Sequence, residues 1–143
     1  FFTSPNRPWK IDTTWWFGSY WSGRASQLTG QFQYKWAPRM DTSFRYDQTF
    51  ARLKEGSFTA RIFSLRSNYS FSPLLTVSNL AQYDNDSKNL GWQSRIRWIL
   101  RPGREIFWVF NVGWIREIDA AGETHFRAAD RGIAAKAQYT LRF

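Results

Sequence analysis

The residues of this chain that could do chemistry are mostly charged side chains, and they recur at alternate positions within short segments. Thirteen of them have the sequence parity opposite to that of the nearby large apolar residues: Lys10, Asp12, Lys35, Asp41, Arg45, Asp47, Arg66, Arg95, Arg97, Arg101, Glu105, Lys136 and Arg142. Nine of these are basic and four are acidic, so the set would attract anions if it faced water. If it were enclosed, its members would have to pair or retain water, because an unpaired buried charge is costly. An anion-favouring, water-lined face and a salt-bridged, side-chain-filled interior therefore both stay open.

Catalytic and metal-binding patterns are weak. His125 is the single histidine, and no Ser or Cys nucleophile stands beside it together with an acid. The lack of cysteine excludes disulfides and thiolate metal sites. Residues 84–87, Asp-Asn-Asp-Ser, offer oxygen ligands at alternate positions as calcium loops do, but the downstream bidentate acid is missing, and Asp and Asn are ordinary turn residues. We therefore expect no catalysis, no cofactor and no metal.

A period of two runs through the chain and predicts extended strands, because successive side chains of a strand leave on opposite sides. The clearest case is the final stretch, 131–143, in which Ile133, Tyr139, Leu141 and Phe143 share one parity. Eight segments of strand length are predicted: 9–21, 25–36, 40–52, 58–71, 74–84, 89–101, 105–118 and about 129–143. An even number of strands is typical of bacterial outer-membrane barrels.

The connections between these segments are expected to differ at the two ends of the sheet. At one end they are tight turns that contain Pro, which cannot sit inside a central ladder. At the other end they are expected to be longer and polar: 22–24, 53–57, 84–88 and 119–127. This asymmetry is typical of outer-membrane barrels. The basic residues expected in these loops, in contact with lipopolysaccharide phosphates, are Arg24, Lys54, Lys88 and Arg127.

Tryptophan gives the strongest indication of location. Eight of the nine Trp have the apolar parity: Trp9, Trp15, Trp21, Trp36, Trp92, Trp98, Trp108 and Trp114. Only Trp16 has the opposite parity. Indole combines an apolar body with one N–H donor and is favoured where hydrocarbon meets headgroups. Trp9 and Trp21 are twelve residues apart, which at ~3.4 Å per residue and ~40° tilt is ~30 Å along the membrane normal, close to a ~25 Å apolar band with its two aromatic girdles.

Composition agrees with a barrel that crosses a membrane on strands. No run of 18 apolar residues exists, which excludes a transmembrane helix. The mean hydropathy is only −0.53 although 20% of the residues are aromatic, as expected when lipid-facing and lumen-facing residues alternate. The net charge of +9 would also suit nucleic acid. Binding of single-stranded nucleic acid, however, predicts aromatic and basic residues interleaved on one face, whereas here they mostly have opposite parity.

These observations predict an all-β fold, an antiparallel up-and-down transmembrane β-barrel of about eight strands or the C-terminal arc of a larger barrel. A soluble barrel with the aromatics inside is disfavoured, because the interior of eight strands has little room for such bulk. Residues 1–143 are expected to form one domain, a mature or excised part of a longer chain. Two residues do not fit the apolar parity. Arg61 lies near the membrane boundary or beside a bulge, with the boundary favoured, and Asn79 is expected to face hydrocarbon.

Residues 69–111 contain a series of short strings: Tyr-Ser-Phe-Ser-Pro at 69–73, Gln-Tyr-Asp-Asn at 82–85, Arg-Ile-Arg-Trp at 95–98, Arg-Pro-Gly-Arg-Glu-Ile-Phe at 101–107 and Val-Phe-Asn at 109–111. The series resembles the C-terminal barrel portion of a Gram-negative outer-membrane family of unknown function, often preceded by a carbohydrate-binding-family-9-like domain. This resemblance implies a porin-like fold in the bacterial outer membrane. Tyr139, Leu141 and Phe143 likewise resemble the terminal signal read by the outer-membrane insertion machinery.

Two functions are compatible with these features. The first is a structural or anchoring role for a closed barrel with a charged, side-chain-filled interior and no catalysis. The alternative is the wall of a wider channel or uptake barrel, in which Arg95, Arg97, Lys136 and Arg142 would favour anions in the lumen. The expected partners are membrane lipid, lipopolysaccharide and the insertion machinery, and nucleic acid is not among them.

Overall fold

The structure is a computed structural model and describes residues 7–118 and 124–139. Eight strands form one antiparallel sheet in which strands adjacent in the chain are paired. The strands are β1 (Trp9–Tyr20), β2 (Gly23–Ala37), β3 (Met40–Leu53), β4 (Gly56–Ser72), β5 (Leu75–Asp84), β6 (Asn89–Arg101), β7 (Arg104–Ile118) and β8 (Thr124–Tyr139). The predicted all-β fold of eight up-and-down strands is confirmed. None of the described residues belongs to a helix long and apolar enough to span a membrane.

The register between strands sorts the side chains into two faces, because residues directly opposite each other point to the same side of a sheet. One row of partners across the first seven strands is apolar: Ile11, Phe32, Phe44, Leu65, Ala81, Trp92 and Val112. The next row is polar apart from its glycines: Asp12, Gln31, Arg45, Ser64, Gln82, Gly91, Gly113 and Asp130. We call the sides to which these rows point the aromatic face and the polar face.

Bulges occur at defined places in this register. The strand before each Pro-containing turn shifts register just ahead of the turn, at Lys35/Ala37, Ser70/Ser72 and Ile99/Arg101. A further shift at Gly113/Trp114 places the start of β8 opposite the end of β7. Because a bulge adds one residue to one strand, the parity of the following residues is reversed relative to the partner.

The eighth strand and two of the loops differ from the sequence-based prediction. β8 begins at Thr124 instead of about residue 129, since residues 124–127 pair with the end of β7 beyond the bulge. The connections at 21–22 and 54–55 are two-residue turns, as short as those that contain Pro. The predicted contrast between tight turns and longer loops is therefore wrong at these two positions. The connection at 119–123 lies outside the described residues.

The sheet does not build a core of its own. In the described part of the chain only Ala25, Ala51 and Ser94 are buried, and no large side chain is fully buried. The accessible surface is 10996 Å², whereas a compact globular chain of 17.0 kDa would expose about 7,700 Å². Both faces of the sheet are therefore largely exposed.

Candidate functional site

The polar face carries ion pairs between residues two apart on one strand, which point to the same side. In β1, Lys10 Nζ lies 2.9 Å from Asp12 Oδ2. In β3, Arg45 donates to both carboxylate oxygens of Asp47, with Nε–Oδ2 at 2.7 Å and Nη2–Oδ1 at 3.0 Å. The hydroxyl of Thr29 donates to the same carboxylate at 2.7 Å. The Asp47 carboxylate therefore accepts hydrogen bonds from two neighbouring strands, β2 and β3.

A second bidentate pair crosses from β6 to β7. Arg97 donates to Glu105 through Nε at 2.9 Å and Nη2 at 2.8 Å, and its guanidinium lies 5.9 Å from the centre of the Phe107 ring. Bidentate geometry makes such pairs the strongest of the exposed ion pairs. Two side-chain amides of the polar face also donate hydrogen bonds across neighbouring strands. Asn68 donates to the Asp41 carboxylate at 2.9 Å, and Gln93 donates to the Asn111 side-chain oxygen at 2.9 Å.

Two exposed arginines of the polar face have no acidic partner among the residues that the structure describes. Arg66 on β4 and Arg95 on β6 line one recess of about 220 Å³, together with the polar side chains of Asn68, Ser78 and Gln93. Within ranges 7–118 and 124–139, neither guanidinium forms an ion pair or a side-chain hydrogen bond. The recess therefore combines two unneutralised cations with neutral amide and hydroxyl groups.

The register places most of the thirteen predicted charged residues on the polar face, with two exceptions. Arg101 follows the bulge and lies opposite Arg104, whose row continues to Tyr139 on the aromatic face. The prediction that Arg101 shares the polar face is therefore wrong, since the added residue reverses its parity. Arg142 lies outside the described residues, as do Leu141 and Phe143 of the predicted insertion signal.

Most of the tryptophans lie on the aromatic face. Seven lie in strands at positions of the aromatic face: Trp9, Trp15, Trp36, Trp92, Trp98, Trp108 and Trp114. Neighbouring rings contact each other, with Trp15 and Phe17 5.6 Å apart and Trp98 and Trp108 6.4 Å apart between ring centres. Trp21 lies in the turn after β1 at a φ of 50° and not in the strand.

Trp16 is the exception that the sequence parity predicts. It lies on the polar face opposite Gln27, and its ring packs along its own strand, where a Cβ added to Gly18 would come within 3.3 Å of it. The side chain is 47% exposed. One tryptophan thus lies on the polar face while Trp15, its neighbour in the chain, lies on the aromatic face at 68% exposed.

Arg61 and Asn79, two polar residues that share the apolar parity, have different surroundings. The β3 and β4 register is continuous through Arg61, so the bulge interpretation is wrong there. Arg61 lies beside the turn after β5, where the Asn85 amide donates to its carbonyl at 3.0 Å. Asn79 lies between Ser67 and Ser94 in a row of small polar side chains.

The predicted loop residues have specific partners. Asp84 accepts hydrogen bonds from the Asp86 amide and the Ser87 hydroxyl, each at 2.9 Å, so its carboxylate closes the turn. Among the residues of the two described ranges, no three His, Cys, Asp or Glu side chains form a group that could hold a metal. His125 lies in β8 and not in a loop, opposite Glu117.

The predicted basic loop residues are divided between strands and turns. Arg127 lies in β8 and pairs with Glu117 at 2.6 Å. Arg24 lies in β2, directly opposite Arg52 of β3 on the aromatic face. Lys54 and Lys88 lie in turns. Arg52 is a basic neighbour that sequence reasoning missed, because the pairing depends on the register between strands and not on the parity within one of them.

The fold and its two faces define a class, an antiparallel meander sheet with one aromatic and one polar face, each of them exposed. No family model matches the chain, and no curated protein or solved structure matches it either.

Proposed function

We propose that this chain forms part of the wall of a β-barrel in a bacterial outer membrane, with the aromatic face against lipid and the polar face toward water. The observation that carries the proposal is the segregation of seven tryptophans from the ion pairs and amides on the opposite side of the same strands. A soluble sheet would bury one face against a core, yet neither face is buried in the described residues.

The exposure of the polar face favours a wide barrel. In a closed barrel of eight strands the inward side chains fill the interior. Here the side chains of Arg45 and Arg97 are 51% and 45% exposed although both belong to ion pairs. Arg66 and Arg95, on strands in the middle of the sheet, are also exposed. Of the two barrels expected from the sequence, we therefore propose the arc of a larger one.

Such a wall acts physically and not through catalysis. Aromatic and aliphatic side chains on the lipid side are removed from contact with water. This removal stabilises the inserted protein by roughly 25 cal/mol per Å² of apolar area buried. Backbone groups are paired along the strands, as a hydrocarbon environment requires. The proposal also predicts that the chain belongs to the Gram-negative family that its sequence resembles. It further predicts that the outer-membrane insertion machinery recognises Tyr139, Leu141 and Phe143.

Fluorescence quenching in bilayers tests which face meets lipid. Two single-tryptophan variants, with every other Trp replaced by Phe, retain either Trp108 on the aromatic face or Trp16 on the polar face. We expect lipids with brominated acyl chains to quench Trp108 but not Trp16, and iodide in the water to quench Trp16 more strongly. Quenching of Trp16 by brominated lipid, with Trp108 left bright, would contradict the proposal.

A second candidate function is passage of anions along the polar face. The observation that favours it is the recess between Arg66 and Arg95, where two cations have no acidic partner among the described residues. Of the residues that the sequence suggested for an anion-favouring lumen, Arg97 is neutralised by Glu105, whereas Arg95 and Lys136 keep their charge free of ion pairs in the described structure. The preference for anions would then come from the cations without an acidic partner among the described residues, which are Arg66 and Arg95 of the recess together with Lys136.

A further inference from the structure

Four donor groups lie in one row across the first four strands, close to the turns at 21–22 and 54–55. The row is Ser19, Arg24, Arg52 and Ser57, each directly opposite the next. It belongs to the aromatic face, because the neighbouring row on that face contains Phe17 and Phe50. Two guanidinium groups flanked by two hydroxyls are thus placed at the end of the face proposed to meet lipid.

Arg24 and Arg52 lie directly opposite each other on the neighbouring strands β2 and β3. Like charges directly opposite on neighbouring strands are destabilising. Neither Arg24 nor Arg52 forms an ion pair in the part of the chain that the structure describes, and both are exposed. A bound anion would remove this repulsion and accept hydrogen bonds from both guanidinium groups.

An apolar surface lies next to Arg24 and Arg52, on the side toward the middle of the strands. A groove of about 630 Å³ is lined by Phe17, Phe50, Arg24 and Arg52. Ser26 also lines the groove, and its Oγ accepts a hydrogen bond from Trp15 Nε1 at 3.1 Å. The distance from the arginine row to the phenylalanine row is two residues, or ~6.8 Å along the strand. The groove therefore offers a charged end and an apolar end to a single amphiphilic molecule.

We propose that this groove binds a membrane lipid that carries a phosphomonoester, with the phosphate between Arg24 and Arg52 and an acyl chain over Phe17 and Phe50. The proposal rests on the proposed membrane location of the aromatic face. A phosphomonoester carries about −1.5 to −2 charges near neutral pH and has three acceptor oxygens. It matches two guanidinium groups better than a phosphodiester, which carries one charge. Phosphorylated acyl-glucosamine lipids of an outer leaflet have this chemistry.

Lipid selectivity in nanodiscs tests the site. The chain is placed in phosphatidylcholine nanodiscs that contain small amounts of phosphatidic acid, a phosphomonoester, or phosphatidylglycerol, a phosphodiester, and the lipids retained by the protein are counted by native mass spectrometry. We expect phosphatidic acid to be retained about tenfold more than phosphatidylglycerol, because its phosphate carries more negative charge and one more acceptor oxygen for the two guanidinium groups. The variant Arg24→Gln/Arg52→Gln should lose this preference.

Arg116 of β7 lies two residues beyond Trp114 and therefore shares the aromatic face with Arg61. The control Arg61→Gln/Arg116→Gln removes the same charge from this face and should keep the preference. Equal preference in the wild type and the Arg24→Gln/Arg52→Gln variant would overturn the site. Displacement of phosphatidic acid by inorganic phosphate alone would overturn the role of the acyl chain. If Trp108 is quenched by brominated lipid but no lipid is selected, this inference fails while the proposed membrane wall stands. Without quenching of Trp108, the membrane proposal itself fails.

Discussion

Arg66 and Arg95 differ from Arg45 and Arg97 in one respect that decides their chemistry. Arg45 and Arg97 each have a carboxylate within 3.0 Å, whereas Arg66 and Arg95 have none among the described residues. A paired guanidinium contributes little field beyond its partner, because the two charges cancel at a distance. An unpaired guanidinium on a wet face keeps its full attraction for anions.

Neutralising the recess should change ion selectivity if the polar face lines a conducting lumen. For Arg66→Gln/Arg95→Gln we expect a severalfold fall in the permeability ratio of chloride to potassium, because two unpaired cations are lost. The measurement is the reversal potential in planar bilayers under a salt gradient. The control Arg97→Gln/Glu105→Gln removes an ion pair without changing net charge and should leave the ratio unchanged. A change of equal size in both variants would show that the recess has no special role.

The side on which a residue lies could be predicted from parity alone in regular strands. Trp15 and Trp16 are assigned to opposite faces by the sequence, and the register agrees. Arg101 could not be placed, because a bulge adds a residue that no local pattern reveals. The neighbourhood of Arg24 and Arg52 was also beyond prediction, since it depends on how two strands align and not on either strand alone.

At the scale of the element, strand boundaries were predictable where turn chemistry is strong. The starts and ends of β5 and β6 agree with the predicted segments within one residue, because Pro-containing or Asp-rich turns flank them. The start of β8 was not predictable. The sequence predicts a loop for its first four residues, since the register shift opposite Trp114 breaks the alternation between Arg127 and Arg131.

Two turns at one end of the sheet are tied together through side chains. The hydroxyl of Ser22 donates to Glu55 Oε2 at 2.6 Å, and the Lys54 amide donates to Ser22 Oγ at 3.4 Å. The hydrogen bond from Ser22 is the main reason that the pKa of Glu55 lies below its ordinary value of 4.5. Because the pKa is lowered, the tie is present above the ordinary carboxyl range and is lost as pH falls through the lowered value.

The titration of Glu55 tests this tie. We expect its carboxyl carbon, followed by NMR in an isotope-labelled sample, to titrate below 4.5 in the wild type and to move back up in Ser22→Ala. Ser87→Ala is the matched control, because that hydroxyl serves Asp84 in another turn. An unchanged Glu55 midpoint in Ser22→Ala would show that the hydrogen bond does not set its protonation.

At the scale of the whole molecule, alternation predicted a two-faced sheet but not its curvature. The same period of two is found in a narrow barrel with a filled interior and in one arc of a wide wall. The exposure of side chains in the folded sheet separates these cases, and on its central strands the polar face exposes Arg66, Gln82 and Arg95. The clustering of Trp and Phe side chains on one face could be predicted from the sequence. The exposure of the polar face to solvent could not.

The most direct test of the two-faced wall is a cysteine scan along β6 (Asn89–Arg101) in bilayers. The chain contains no cysteine, so each single substitution reports on one position. Six consecutive positions, 93–98, are replaced one at a time and treated with a water-soluble maleimide that cannot enter lipid. We predict labelling that alternates, with 93, 95 and 97 modified and 94, 96 and 98 protected. Uniform labelling, or protection of 93, 95 and 97 with modification of their neighbours, would contradict the account.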